Sequence, residues 1–129
     1  MTLADRILSW YKTLEITVKL TSDVKVLNPY REMTRETFAA LEEFYQRYYA
    51  DNRPRKLMMG INPGRLGAGL TGIPFTDTPA LESIGIHMPN VDTTETSADY
   101  VWKVIEAYGG PEAFFSEWFI GGVSPLGFI

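Results

Sequence analysis

Apolar residues recur at three- and four-residue spacing at Leu3, Ile7, Trp10, Tyr11 and Leu14. That period predicts an amphipathic helix from Thr2 to about Glu15, with the Thr2 hydroxyl placed to cap its first turn. Residues 16–30 lose the period. Val24, Val26 and Leu27 favour strand, and Asn28-Pro29-Tyr30 reads as a break. A second helical stripe, Phe38, Leu41, Phe44, Tyr45 and Tyr48, follows Thr34 and runs to about Tyr49. Tyr45, Tyr48 and Tyr49 sit at helical spacing, which fits core and its rim better than a stacking surface. Asp51-Asn52-Arg53-Pro54 ends this helix.

The period then changes. Lys56-Leu57-Met58-Met59-Gly60-Ile61 is a short, nearly continuous apolar run after a breaker, the pattern of a buried parallel strand. From Asn62 to about Thr96 the chain is rich in Gly, Pro and Thr and predicts mostly loop, and a loop of that length in a compact domain is usually functional or disordered. Thr96, Ser97 or Asp99 is placed to cap a helix running to Tyr108, with Val101, Trp102, Val104 and Ile105 inward and Gly109-Gly110 as its stop. Pro111 to Ser116 predicts a further turn or two of helix. Trp118 to Val123 predicts a second buried strand, leading into Ser124-Pro125. Helix, strand, loop, helix and strand in this order predict an α/β fold with a parallel sheet and helices on both faces. In such sheets sites form at the carboxyl ends of the strands. Asn62-Pro63-Gly64 and Ser124-Pro125-Leu126 both fall there.

Composition narrows the chemistry. The chain has 129 residues, 45% hydrophobic and 22% charged, the size and make-up of one globular domain. It has no cysteine and a single histidine, His87. Disulfides, thiolate metal sites and iron–sulfur clusters are excluded, and no His-rich metal site can form. No cofactor and no metal are expected. No signal peptide and no apolar run of membrane-spanning length is present, so a soluble, intracellular (cytoplasmic) protein away from membranes is expected. A monomer is expected. The net charge of −4 argues against nucleic acid as a partner, but it is unevenly spread. Residues 1–65 carry a net +3 and residues 66–129 a net −7. Arg53, Arg55, Lys56 and Arg65 bracket the Asn-Pro-Gly segment in sequence. They offer a local patch for phosphates, or are solvated cations ahead of a strand.

Gly60-Ile61-Asn62-Pro63-Gly64 sets an asparagine on a stiff turn between two glycines. Glycine lets a ligand approach the backbone closely, and proline fixes the turn. A neutral carboxamide on that platform can orient a water molecule, which suits a reaction in which water arrives late. Alone, the segment is also an ordinary strand-to-turn connection. The longer string says more: six residues, Arg65 to Leu70, separate it from Thr71-Gly72-Ile73-Pro74-Phe75.

This pattern resembles the uracil-DNA glycosylase superfamily, and most closely its single-strand-selective monofunctional branch. There Gly-Met-Asn-Pro-Gly precedes Thr-Gly-Val-Pro-Phe at the same interval. Phe119 to Leu126 resembles the next block of that branch, an apolar strand ending in Asn-His-Cys-Pro-Leu. The resemblance covers roughly residues 56–75 and 117–128. It implies a three-layer α/β/α sandwich with a parallel central sheet, of which this chain is the N-terminal portion. It also implies a monofunctional enzyme that flips a damaged base out of DNA and hydrolyses its N-glycosidic bond, with DNA as partner and no metal or cofactor. Carried over by position, Asn62 orients the water and Phe75 stacks on the base. The amides of Ile61 and Phe75 hold the pyrimidine O2, and Gly64 leaves room near C5. Gly122 and Ser124 line the base pocket, while Pro63, Arg65 and Gly67 are candidate DNA contacts. Phe75 also fits a core aromatic, and residues 65–69 a plain loop.

Two departures bear on substrate and activity. Gly122 stands where the branch has an asparagine that reads the base, and Ser124 where it has cysteine. A purine target such as xanthine or hypoxanthine therefore stays open. The branch's late His-Pro-Ser motif, whose histidine donates to O2, is absent, and His87 lies too early to replace it. The expectation is that these 129 residues alone have little or no activity. A non-catalytic base- or nucleic-acid-binding module of the same fold is the alternative.

Overall fold

The computed structural model describes residues 1–129. Helix α1 spans Leu3–Thr13 and opens on a reciprocal cap, in which the Asp5 amide donates to the Thr2 hydroxyl and the Thr2 amide to the Asp5 carboxylate. Strand β1 is Val26–Leu27. The Asn28-Pro29-Tyr30 break is the start of a short helix, α2, Pro29–Glu32. Its reason is local: Asn28 caps it, and proline suits a first-turn position. Helix α3, Arg35–Tyr49, is capped by Thr34 and buries Leu41, Phe44, Tyr45, Tyr48 and Tyr49 on one face. Those tyrosines are core, as their spacing predicts.

Strand β2, Lys56–Gly60, runs parallel to strand β3, Trp118–Gly122, in register Lys56 with Trp118 through Gly60 with Gly122. Met58 packs against the core and Ile120 lies inside it. Leu57 and Met59 alternate with Met58 and stay 65% and 49% exposed. The expected strand buried on both faces is thus corrected: only one side of β2 meets the core in this chain. A second ladder, absent from the sequence reading, pairs β1 antiparallel with β4, Gly127–Phe128. Lys25 and Ile129 extend it by exchanging backbone hydrogen bonds of 2.6 and 2.8 Å. The architecture is mixed α/β with a small parallel sheet.

The predicted long loop is the larger correction. Residues 62–96 contain α4, Ala68–Thr71, and α5, Thr78–Ser83, and bury Ile73, Leu81, Ile86 and Met88. Polar residues build this segment instead of a repeating apolar stripe. Asp77 caps α5 and also accepts from the Glu95 amide at 2.9 Å. The Thr78 hydroxyl donates to the Thr93 carbonyl and accepts from the Thr93 amide, and the Thr93 hydroxyl donates to the Leu66 carbonyl. Helix α6, Thr96–Tyr108, begins at Glu95, so none of Thr96, Ser97 and Asp99 is its cap residue. Trp102 and Ile105 point inward as expected, whereas Val104 is 39% exposed. Helix α7, Pro111–Glu117, leads into β3. No helix is long and apolar enough to cross a membrane.

Candidate active site

The carboxyl ends of β2 and β3 are tied together past the last paired residues. The Val123 amide donates to the Gly60 carbonyl at 2.9 Å, and the Ser124 amide to the Ile61 carbonyl at 3.0 Å. The two motif loops therefore leave the sheet as one unit. They open onto a cleft of about 230 Å³ lined by Asn62, Pro63, Gly64, Phe75, Gly122, Ser124 and Pro125 among others.

Phe75 is built into this cleft under constraint. Its φ is +53°, a left-handed conformation that costs a residue with a side chain about 1–3 kcal/mol. Buried Thr71 holds the turn: its hydroxyl donates to the Thr76 carbonyl at 2.7 Å and accepts from the Ile73 amide at 3.2 Å. The Trp102 indole N–H donates to the Thr76 hydroxyl, which donates to the Pro74 carbonyl. Tyr30 donates to the Gly72 carbonyl at 3.0 Å. The ring then lies against Gly60, where a Cβ would come 2.8 Å from Phe75 Cζ. So Gly60 is glycine to admit the ring, and Thr71 is threonine to hold it.

Asn62 and Ile61 are exposed on the opposite loop. The Asn62 carboxamide N–H donates to the Pro63 carbonyl at 3.2 Å, which leaves its oxygen free to accept from water. The amides of Ile61 and Phe75 donate to no acceptor in the chain. Of the two residues, Phe75 lines the cleft, and Ile61 stands next to lining Asn62 in the chain. Gly64 is exposed, and its carbonyl accepts from the amides of Gly67 and Gly69.

Other expected site residues are placed differently. Gly67 is buried under the Glu95 carboxylate, where any Cβ would collide with Oε2, so it is a packing position and not a surface contact. Gly122 lines the cleft, but a Cβ there would come 2.7 Å from the Ser124 carbonyl, so this backbone leaves no room for the missing asparagine. The Ser124 hydroxyl donates to the Leu126 carbonyl at 2.8 Å and accepts from the Leu126 amide. It is spent on its own turn. The cation patch dissolves. Arg53 and Arg55 precede β2 and Lys56 opens it, and the strand alone separates them from the loop by roughly 13 Å. Arg55 is structural, its side chain 3% exposed, paired with Asp51 and stacked over Tyr49. Arg65 remains, exposed on the loop itself. His87 is exposed and pairs with Glu82, outside the cleft.

The sequence reading missed four residues that line the cleft: Trp10, Tyr11, Tyr30 and Glu95. Tyr11 stacks on Tyr30 with ring centroids 4.1 Å apart and shares a hydrogen bond with Tyr45. Burial raises the pKa of both lining tyrosines, so they stay neutral. Nothing in helical spacing separates a tyrosine that packs from one whose edge meets a cleft. Glu95 carried no local signal either.

No family model matches the chain, and no curated protein matches it. Among solved structures it is similar to wild-type SMUG2 of Pedobacter heparinus, with a TM-score of 0.89 and 40% sequence identity. The match covers 99% of this chain and 55% of that one, so the chain spans about half the length of that protein.

Proposed function

The chain belongs, by sequence and by fold, to the SMUG-like branch of the uracil-DNA glycosylase superfamily, and we propose that it is the catalytic-loop half of a monofunctional DNA glycosylase. The reaction is hydrolysis of the N-glycosidic bond of uracil or another deaminated base in DNA. The observation that carries this reading is the meeting of Asn62 and Phe75 on one cleft at the ends of two parallel strands, with the Phe75 amide and that of Ile61, the neighbour of Asn62, left without an acceptor.

The steps follow from those groups. A flipped base enters the cleft and stacks on Phe75, a contact worth about 1–3 kcal/mol. The Ile61 and Phe75 amides stabilise charge on the departing base. The bond from sugar to base breaks first, and water held by the Asn62 oxygen captures the cationic sugar. Arg65 and the exposed loop about Pro63 meet the DNA strand, and Ser124 and Gly122 form a pocket wall. The exposed Leu57 and Met59 are where a second helical layer would complete a three-layer sandwich. The further stabiliser of the leaving base lies outside these 129 residues, a reading supported by the 55% span of the match and by His87 standing away from the cleft.

A second reading, a non-catalytic base-binding module, draws on the blocked Gly122 position and the spent Ser124 hydroxyl. Base release from a uracil-containing single strand by the full-length gene product separates the two. The glycosylase reading expects Asn62→Ala to slow release by about 10²-fold or more, because the water loses its position. Unchanged release would remove Asn62 from the mechanism.

A further inference from the structure

We infer that Glu95 is a specificity residue of the cleft, accepting a hydrogen bond from the ring N–H that deamination gives a base. The inference rests on the glycosylase reading and adds to it how an altered base is told from a normal one.

Glu95 occupies the N-cap position of α6, where an acceptor side chain ordinarily turns back onto the first amides of its own helix. It does not cap: no side-chain cap hydrogen bond is made. Its backbone is instead fixed by the Asp77 carboxylate, and its Oε1 accepts from the Ser97 hydroxyl. Glu95 lines the cleft it shares with Asn62 and Phe75, and its carboxylate packs against Gly64 and Gly67. Two glycines make this possible. A Cβ at Gly64 would lie 3.0 Å from Oε2, and one at Gly67 would collide with it.

Oε2 is buried with no hydrogen-bond donor from the chain, the one buried side-chain polar atom of which this is true. No cation compensates it, since none of the ion pairs includes Glu95. A buried carboxylate oxygen with no donor from the chain gains free energy from a donor that arrives with the ligand. An ionised carboxylate can only accept. Ring nitrogens of the normal bases cytosine (N3) and adenine (N1) are acceptors. Deamination to uracil or hypoxanthine turns the same atoms into N–H donors. Aligned with that ring nitrogen, an acceptor-only group therefore favours the deaminated base over its parent, whose donors sit on the neighbouring exocyclic amino group. It takes up the polar discrimination that Gly122, lacking a side chain, does not supply.

The test is equilibrium binding of the full-length gene product to two single strands. One carries a 2′-fluorinated uridine and the other the matching cytidine, since the fluorine slows glycosidic cleavage. The unaltered protein is expected to favour the uracil strand by about tenfold or more, the range of a hydrogen bond to a charged group. Glu95→Ala is expected to bring that ratio close to one while still binding, and Glu95→Gln to lower it, since a neutral carboxamide oxygen accepts more weakly than a carboxylate. Glu95→Gln keeps the volume, so misfolding does not mimic the result. A ratio that stays near tenfold in both variants overturns the role of Glu95 and leaves the glycosylase reading standing. A ratio near one in the unaltered protein also overturns it. Failure of the unaltered protein to bind either strand overturns the glycosylase reading itself.

Discussion

Phe75 holds its ring in the cleft at a φ of +53°, and the hydroxyl of Thr71 is what makes that conformation hold. Replacing Thr71 with valine keeps the volume and strips both hydrogen bonds, stranding the Ile73 amide and the Thr76 carbonyl. Thr71→Val is expected to lower stability by about 1–3 kcal/mol in denaturant titration and to weaken binding of a uracil-containing strand beyond its effect on folding. Unchanged midpoint and affinity would mean that the turn holds itself. The same residues mark how far a sequence can be read at this scale. Phe75 was found through the interval from Asn62 to Thr71-Gly72-Ile73-Pro74-Phe75, because a motif records which side chain must be presented. Glu95 was not found. Its role comes from the side chain turning away from its helix into a gap left by Gly64 and Gly67, and no spacing in the sequence encodes that turn.

At the scale of elements, the passage from α3 to β2 is held by one buried cation. Arg55 donates to both oxygens of Asp51 at 2.8 and 2.9 Å, to the Tyr48 carbonyl and to the Phe115 carbonyl, so it joins α3, the strand entry and α7. The Arg55 hydrogen bonds, with the Arg53 amide, hold the Asp51 carboxyl down at about 2, below its ordinary 3.8. A depressed carboxylate stabilises the fold above its unfolded pKa, and that contribution is lost as pH falls through the folded value. Stability should therefore decline between about pH 4 and pH 2. Asp51→Asn should be less stable near neutrality and show a shallower decline, read from unfolding curves across that window. Asp5, held down to about 2 by Gln46 and then by Thr2, titrates in the same range, so a residual slope remains. An acid limb identical to that of the unaltered protein would contradict the assignment. In sequence this segment reads only as a helix stop. Asp51 and Arg55 are four apart, but the carbonyls that bury the guanidinium come from distant elements. The same limit explains α4 and α5. The Asp77 cap of α5 and the hold of the Thr78 hydroxyl on the Thr93 backbone carry no apolar period, so 62–96 reads as loop, whereas α1, α3 and α6 follow their apolar stripes.

At the scale of the molecule, the two motif loops meet because β2 and β3 are parallel and in register, a topology that the order of elements already implied. The charge asymmetry was legible too, but its meaning was not. A strand's length moves Arg53 and Lys56 away from the loop, and folding spends Arg55 on structure. The apolar run in β2 reads as a strand buried on both faces, yet one side, Leu57 and Met59, stays exposed in a chain that spans about half of its structural relative. On the proposed reading the cleft supplies one half of a base-excision site, with Asn62 to hold water and Phe75 to stack, and the remaining stabilisation of the leaving base is assigned elsewhere. Losing one preorganised donor costs roughly 10²–10³ in rate. These 129 residues alone should therefore release base at least about 10²-fold more slowly than the full-length gene product, and equal rates from both would show that the site is complete here. The central claim, that this cleft belongs to a monofunctional glycosylase, is tested most directly by the products formed when the full-length gene product meets a single strand containing one uracil. Free uracil and an unbroken strand with one abasic position is the predicted result; uracil still attached at saturating protein, or a strand broken at the uracil position, would contradict it.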